Sequence, residues 1–511
     1  MIEFRFVILL LHCIVFSDSY NILAVFPHEG KSHQWIFAPI VRELVKRGHT
    51  VTALVHYTFN IESNGYHEIS LKDPNARGLE IFELDESESP WYCQLRSSDL
   101  LFSEGLQSCE VTFSNSKVIE LLKSNQKFDL VLAEVFNSEC SQGFALRFKA
   151  PLVAISTTTL MPWHNSRFAN PDNPAYIPNN HIWFDNKMSF SQRVVNFLGT
   201  LYAKIVYQVF FDSNRILLEK HIGREISDLD ALIRNTNLIL VNSHWTLTFS
   251  RPLVPAVVEI GGIHVQKSKK LPENIEKFIN ESKHGVIYFS LGSMIKGHTF
   301  PQEKKDAFLK AFARLPQRVL WKWENETMPG KPDNVMIQKW MPQFDILSHP
   351  NVKAFISHGG LLGTTEAVHC GVPMMVMPQY GDQYTNAKAV EANGGGVILY
   401  LKDATEEKVY NNLKTILDPE FRAKAKALSE RFRDRPMSPM DTAIYWVEYV
   451  ARHKGAPHMK TAAVDMPLYQ YLLLDVLAFL GLILLVFSYI SYKILSLVLR
   501  SVFSKKKVKQ N

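Results

Sequence analysis

Between Trp340 and Gln383 the chain reads WMPQFDILSHPNVKAFISHGGLLGTTEAVHCGVPMMVMPQYGDQ. Its chemistry centres on His358-Gly359-Gly360, where the apolar run VKAFIS ends and a helical pattern begins. Backbone N–H groups at a helix N-terminus, with glycine allowing close approach, make an anion site suited to a diphosphate. The His358 ring can add a hydrogen bond or a positive charge there. Glu366 follows eight residues later, two turns into the helix and on nearly the same face. A carboxylate in that place can accept from two hydroxyls, although a lone helical Glu would mean nothing. Trp340 offers a flat ring on which a base can stack, with Gln343 as a nearby hydrogen-bonding group. Asp382 and Gln383 follow PMMVMP, at the carboxyl end of an expected strand, where open α/β sheets bind ligands.

Activating a hydroxyl nucleophile needs a general base. The loop PHEGKSHQW offers His28 and His33 between an N-terminal strand and its helix, and a structural His at this turn is the remaining alternative. Ser290, Gly292 and Ser293 form a turn after the run GVIYFS, by composition an ordinary Gly/Ser turn. Asp228-Leu229-Asp230 has the spacing by which some enzymes hold a divalent ion. It lies in a polar helical segment and reads as a solvated face, so no metal and no cofactor is expected.

The stretch from Trp340 to Gln383 resembles the nucleotide-sugar signature of the UDP-glycosyltransferases, and the chain is similar to animal, insect-type members of that family, which includes the UDP-glucuronosyltransferases. Trp340, Pro342, Gln343, His358, Gly360, Glu366, Pro373, Pro378, Asp382 and Gln383 fall at the family's spacing. The segment GGIHV, the run LDVLAFL and the basic tail extend the resemblance over essentially the whole chain.

The resemblance implies a GT-B fold and a UDP-sugar donor. It puts His358 on the phosphates, Ser290, Gly292 and Ser293 near them at the domain cleft, uracil on Trp340, and the ribose on Gln343 and Glu366. Met341, Gly360 and Gly363 belong to the same donor site, and Asp382 and Gln383 would hold sugar hydroxyls. The family's catalytic base falls on His33 rather than His28. Its orienting acid falls on Glu134, at the end of KFDLVLAE, with Glu139 as the fallback and Asp129 as a strand-start residue. Two positions depart from the pattern. Leu362 stands where many relatives have Asn, which removes a side-chain donor and leaves the backbone ones. Glu134 stands where many have Asp, which puts the geometry of the pair in question. These departures keep a non-catalytic binding protein of the same fold as the competing class.

The elements that must position these groups alternate. NILAVF, the helical QWIFAPIVRELVKRGH and TVTALVHY open a βαβ pattern; KFDLVLAE, APLVAIST and NLILVNS continue it. The aromatic, Asn- and Pro-rich excursion at 160–230, with Trp163, Phe168, Tyr176 and Trp183, is expected to line an acceptor pocket. A Lys/Pro/Glu-rich linker follows near 262–285, and the alternation restarts with GVIYFS, RVLWKW, VMIQKW, VKAFIS and PMMVMP. The expected organisation is a signal peptide at 1–19, an acceptor-binding Rossmann-like domain at 20–262 and a UDP-sugar-binding one at 263–465. A transmembrane helix at 466–492 and a basic cytoplasmic tail at 493–511 complete it.

The ends and the charge support that plan. FVILLLHCIVF reads as the core of a secretory signal. The run from Leu468 to Ile490 spans roughly 35 Å as a helix, enough for the hydrocarbon core. Lys493, Arg500 and KKKVK behind it place that end in the cytoplasm and the body in the lumen. Lysines third and fifth from the end resemble a reticulum retrieval signal, so an endoplasmic reticulum membrane location is expected. The net charge is +6 over 511 residues, much of it in the tail, which argues against a nucleic-acid partner. Five cysteines and an oxidising lumen permit a disulfide, with Cys93–Cys109 the closest-spaced pair. Asn280 and Asn325 sit in N-glycosylation triplets. The expected reaction is inverting transfer of a hexose, glucose before glucuronic acid, to a hydroxyl of a small lipophilic acceptor. Homo-oligomerisation through the membrane helix is compatible with this plan.

Overall fold

The computed structural model describes residues 19–72, 84 and 91–508. The expected signal peptide, Ser19 apart, lies outside these residues. The first sheet contains β1 Asn21–Val25, β2 Thr50–Val55, β3 Tyr66–Ser70, β4 Leu130–Glu134, β5 Leu152–Ser156, β6 Leu238–Val241 and β7 Val257–Glu259. All pairs are parallel, in the order β3-β2-β1-β4-β5-β6-β7. β4 and β5 are buried along their whole length, as continuous apolar runs must be when helices cover both faces of a parallel sheet. The second sheet contains β8 Val286–Ser290, β9 Arg318–Lys322, β10 Val335–Gln338, β11 Val352–Ser357, β12 Met374–Val376 and β13 Gly396–Ile398, parallel in the order β10-β9-β8-β11-β12-β13.

Both sheets reverse direction beside their first strand. From β1 the chain proceeds to β2 and β3, then returns to pair β4 on the other side of β1; β8 and β11 repeat this relation. Loops leaving the carboxyl ends at such a switch point diverge and leave a crevice for ligands. His33 and Glu134 follow β1 and β4, while Ser290 to Ser293 and His358 to Gly360 follow β8 and β11.

The helix Pro439–Arg452 departs from the expected domain limits. Its Ala443, Ile444, Val447 and Val450 are buried in the same apolar cluster as Ile22, Ile40 and Val51 of the first domain. Arg47 pairs with Asp441 at 2.8 Å and His49 with Glu448 at 3.2 Å. The end of the 263–465 segment therefore returns to pack on the N-terminal half. The excursion at 160–230 contributes a short 3-10 turn, Pro162–Phe168, and the helices Phe190–Val209, Phe211–Ile222 and Leu229–Arg234.

The disulfide joins Cys109 to Cys140, with Cα atoms 5.5 Å apart, which replaces the Cys93–Cys109 expectation. Cys93 and Cys109 both lie on one continuous helix, Trp91–Ser114. Sixteen residues of helix separate them by about 24 Å, far beyond the reach of a disulfide.

Residues 461–511 form a separate unit. A single turn, Leu468–Tyr471, ends at Leu473 with φ 55°, and a helix then runs from Leu474 to Val508. Its Leu474–Ser501 part is long and apolar enough to cross a membrane. The break at Leu473 moves its start several residues past the expected one. Asp475 consequently falls in the first turn, where a carboxylate favours the exposed helix amides.

Candidate active site

His33 is the third residue of the helix Lys31–Lys46. Its Nδ1 lies 2.5 Å from Glu134 Oε1 at the end of β4. Thr157 Oγ1, just past β5, stands 3.0 Å from the same ring nitrogen and donates to Glu134 Oε1 at 3.3 Å. A buried carboxylate against Nδ1 fixes the tautomer with the proton on that nitrogen. Nε2 makes no protein hydrogen bond among the described residues. His28 packs beside His33, ring centroids 4.4 Å apart, and burial followed by the charges of His33 and His56 pushes it well below the usual imidazole range. Gly30 is obligatory between them, because a Cβ there would stand 2.8 Å from the His28 ring and 3.2 Å from His33.

Glu139 faces elsewhere. Its carboxylate pairs with buried Arg167 and accepts from the Tyr207 hydroxyl at 2.7 Å. Burial, then Glu139, push the Tyr207 phenol well up. Of the two candidate acids, the fold brings Glu134 to His33 and gives Glu139 to this buried cluster. Asp129 accepts from Asn21 N at 2.8 Å, at the start of β1.

Across the crevice, two glycines clasp the His358 ring. Cβ atoms on Gly292 and Gly360 would approach it to 2.7 Å and 2.5 Å. Gly359 has φ +87°, and a Cβ there would also meet Val376 at 2.8 Å. Burial, then neighbouring Lys322, push His358 down to about 4, and its buried Nδ1 has no hydrogen-bond partner. In the unliganded protein this ring is neutral, so it can offer a hydrogen bond rather than a charge. The cation beside it is Lys322, at the end of β9, with Nζ 2.6 Å from Glu324. The helix Leu361–Cys370 starts here with no side-chain cap, so its first-turn amides are available to an anion.

Leu362, in that first turn, packs partly buried against the first domain's apolar cluster. Its carbonyl accepts from His264 Nε2 at 3.3 Å. The Asn-to-Leu departure thus exchanges a polar side chain for packing between domains, and the backbone donors stay. Glu366 accepts from Gln343 Nε2 at 2.7 Å. Burial, offset by that amide and reinforced by Asp345, holds its carboxyl up to about 7. Gly363 lies against Gln343, within 3.0 Å of a Cβ placed there.

A cleft of about 640 Å³ opens between the two domains beside these groups. Ser290, Gly292, Ser293, Trp340, Met341, Gln343 and Glu366 line it from the second domain, and Lys31, Trp35, Arg42 and Tyr57 from the first. Trp340 is 56 % exposed, with Lys31 Nζ 5.4 Å from its ring centre and the Trp35 ring 6.3 Å away. Met341 keeps its side chain in the apolar core. Asp382 and Gln383 are not part of this cleft, and Asp382 feels the charge of His33 across the interface. Burial raises the Asp382 carboxyl, while Asn386 at 3.0 Å and the charge of His33 pull it down. Gln383 Oε1 accepts from the amides of Gln379 and Tyr380, and its side chain also hydrogen-bonds the Tyr380 phenol.

Lys31, Trp35, His264, Tyr288 and Lys322 of this site were not singled out in the sequence. Lys31 and Trp35 flank His33 in the same helical turn, the one local signal for them. Lys322 ends an ordinary strand, and only the adjacency of β8 and β9 marks it. Trp163, Phe168, Tyr176 and Trp183 divide. Trp163 donates to Phe136 O at 3.0 Å and Phe136 rings stand 4.9 Å from His33, whereas Phe168 is core. Tyr176 is exposed, and Trp183 stacks on Tyr384 of the second domain at 4.4 Å. Asp228 caps the helix Leu229–Arg234 and Asp230 pairs with Arg234. Among the described residues no group of three or more His, Cys, Asp or Glu is placed to hold a metal. Asn280 and Asn325 are both exposed.

The comparisons with known proteins agree with this geometry. The family model described as UDP-glucoronosyl and UDP-glucosyl transferase matches residues 21–509. The chain is 46 % identical over 478 residues to UDP-glycosyltransferase UGT5 of Dactylopius coccus, covering 91 % of this chain and 90 % of that one. It is 42 % identical over 498 residues to UDP-glucosyltransferase 2 of the same organism, covering 96 % and 95 %. Human UDP-glucuronosyltransferase 1A10 is 33 % identical over 523 residues, with 98 % and 95 % covered. Among solved structures, glycosyltransferase VinC in complex with DTDP superposes with a TM-score of 0.58 at 17 % identity, over 85 % of this chain and all of that one, which supports the two-domain GT-B fold. With the whole body matched and two switch-point crevices facing each other, the chain belongs to the UDP-glucoronosyl and UDP-glucosyl transferase family and is a glycosyltransferase.

Proposed function

We propose that the protein transfers a hexose, glucose by preference, from a UDP-sugar to a hydroxyl of a small lipophilic acceptor with inversion at the anomeric carbon. The observation that carries this reading is the His33–Glu134 contact, which leaves one imidazole nitrogen unengaged, with Asp382 of the opposite domain within electrostatic reach of the ring. His33 Nε2 takes the acceptor proton while the oxygen forms its bond to the anomeric carbon. The bond from that carbon to the diphosphate breaks, and UDP leaves toward the first-turn amides of Leu361–Cys370 and the His358 ring. Donors aimed at the charge that develops on a leaving group lower the barrier. Asp382 and Gln383 hold the sugar hydroxyls, and Trp340 and Glu366 hold uridine.

Glucose is preferred to glucuronic acid because the most similar relatives given above carry glycosyl- and glucosyltransferase names, and the less similar human one the glucuronosyl name. We place the catalytic body in the lumen of the endoplasmic reticulum, anchored by Leu474–Ser501, with the basic tail in the cytoplasm and Asn280 and Asn325 open to glycosylation. A donor panel on microsomes containing the full chain tests the reading. UDP-glucose should support the fastest transfer to phenolic and alcohol acceptors. Preferred glucuronate transfer would overturn the sugar assignment, and full turnover by His33→Ala would overturn the base.

A further inference from the structure

The ring of Trp340 is set by the other half of the molecule. Trp340 lies between β10 and the helix Gln343–Leu347, and its chain neighbours turn elsewhere. Lys339 pairs with Glu326 at 3.1 Å, and the Met341 side chain is buried in the second domain's core. Among the described residues the indole makes ring contacts only with Trp35 and Lys31, both on the helix Lys31–Lys46 of the first domain. The Trp35 ring stands 6.3 Å away at 60°. Lys31 Nζ lies 5.9 Å from the Trp35 ring centre and 5.4 Å from that of Trp340, so the ammonium serves both rings. The support under these two side chains is firm: Ile36, Phe37 and Ile40 are buried, and Phe37 stacks on Phe26 at 3.9 Å. Lys31 is also a local misfit. It opens a helix whose first turn holds no acid, where a cation opposes the dipole. Among the described residues it has no carboxylate and no hydrogen-bond acceptor as partner, only the two indoles. A residue that breaks a local rule in this way marks a contact that matters elsewhere.

We propose that Lys31 and Trp35 are positioning residues for the donor nucleotide: they clasp Trp340 across the domain interface and fix its ring so that a pyrimidine base can stack on the face they leave free. The inference rests on the reading of Trp340 as the uridine platform. An exposed indole on a connecting segment samples several rotamers, and ordering it on binding costs affinity. The clasp orders the ring before the nucleotide arrives. Gln343 and Glu366, the ribose side of that reading, line the same cleft as the three clasp residues, so a base on the fixed ring continues into the ribose groups. Donor binding thereby becomes an event of both domains, although the first domain acts on the nucleotide only through Trp340. His33 sits between Lys31 and Trp35 in the chain, so a single helical turn carries the general base and steadies the donor platform. Opening of the cleft would release the ring, and an open molecule would hold UDP more weakly than a closed one.

The test is a double-mutant cycle on UDP affinity, measured by calorimetry on the detergent-solubilised full chain. Trp35→Ala should weaken UDP about two- to tenfold, the weight of one side chain that must be ordered on binding. The same loss should appear in the donor KM, with kcat at saturating donor held. In a Trp340→Ala background Trp35→Ala should add almost nothing, because the ring it steadies is gone. Lys31→Met should weaken UDP as Trp35→Ala does, and Lys31→Arg should restore it, since a guanidinium also stacks on aromatic faces. Trp35 and Lys31 are exposed, so the melting temperature should match the parent's in each variant. Full UDP affinity in Trp35→Ala, with affinity lost in Trp340→Ala, would overturn the clasp and leave the base platform standing. Full affinity in Trp340→Ala would remove the platform and the clasp together. Losses that add in the double variant would mean that Trp35 acts independently of Trp340, and would overturn the proposal. So would an equal loss of inorganic pyrophosphate binding in Lys31→Met, which would assign the ammonium to the phosphates.

Discussion

Glu134 Oε1 lies 2.5 Å from His33 Nδ1, although the two residues are 101 positions apart. They meet because β1 and β4 are hydrogen-bonded neighbours, with Val25 opposite Ala133, so both side chains leave the same edge of the sheet. The longer acid is accommodated by Thr157, which donates to the carboxylate oxygen that faces the ring. Replacing His33 by Ala should lower turnover by about 10²–10⁴, the usual weight of a general base. Glu134→Gln should lower it by a smaller factor through the wrong ring tautomer. UDP affinity should stay at the parent level in both, since neither side chain lines the uridine cleft. Turnover at saturating donor, alongside UDP titration, checks this pair of outcomes.

If Glu366 holds the ribose as proposed, donor affinity should depend on pH. Its carboxyl is held up to about 7 by burial, so it is partly protonated in the unliganded protein near neutrality. Accepting from two ribose hydroxyls requires the ionised form. Affinity should therefore be full above about pH 7 and decline below it, approaching tenfold per pH unit as one proton is displaced on binding. Titration with UDP-glucose, whose diphosphate does not ionise in this range, measures the slope. Glu366→Gln should bind more weakly and show a flat profile. A slope that persists in the Gln variant would assign the proton to another group.

Trp340 stands half in solvent, an uncommon place for indole unless something stacks on it. A base on an aromatic face contributes about 1–3 kcal/mol. Trp340→Ala should raise the donor KM by about tenfold, with kcat nearly unchanged because uracil is remote from the bond being broken. A fall in kcat at constant KM would contradict the stacking role.

The groups that could be read in the sequence are those whose partners lie within one helix or one turn. His358, Gly360 and Glu366 share a strand–turn–helix unit, and their spacing is a local fact. The apolar runs of β1, β4, β5, β8 and β11 announce themselves because parallel strands buried on both faces are continuous. β7, β12 and β13 are three residues each, and β3, YHEIS, is an edge strand with exposed positions, so none of β3, β7 and β13 has a legible pattern. Lys322 and His264 matter only through neighbours in other elements. The choice of Cys140 as partner for Cys109 likewise depended on which helices become adjacent.

Gly360 and His358 should behave as one unit. Gly360 has φ −59°, which Ala adopts without strain, so Gly360→Ala tests space alone. Its Cβ would sit 2.5 Å from the His358 ring, a distance that forces the ring out of the site. Donor affinity should fall about as far as in His358→Ala, with the melting temperature little changed. In the double variant the second substitution should add almost nothing, since both remove the same contact. Additive losses would mean that Gly360 serves the phosphates through its own backbone.

Glu139 gives the opposite signature to Glu134. Its carboxylate, Arg167 and Tyr207 form a buried cluster, and Arg167 is among the largest fully buried side chains. Removing one member of a buried ion pair leaves the other charge without compensation, at a cost of about 3–5 kcal/mol. Arg167→Met should therefore lower the melting temperature strongly, while kcat and donor KM of the fraction that remains folded stay near the parent values. The double substitution Arg167→Met with Glu139→Leu removes both charges and should recover part of the loss. If Arg167→Met instead abolishes turnover in a protein that melts like the parent, the Glu139 cluster takes part in the chemistry and Glu134 is not its sole acid.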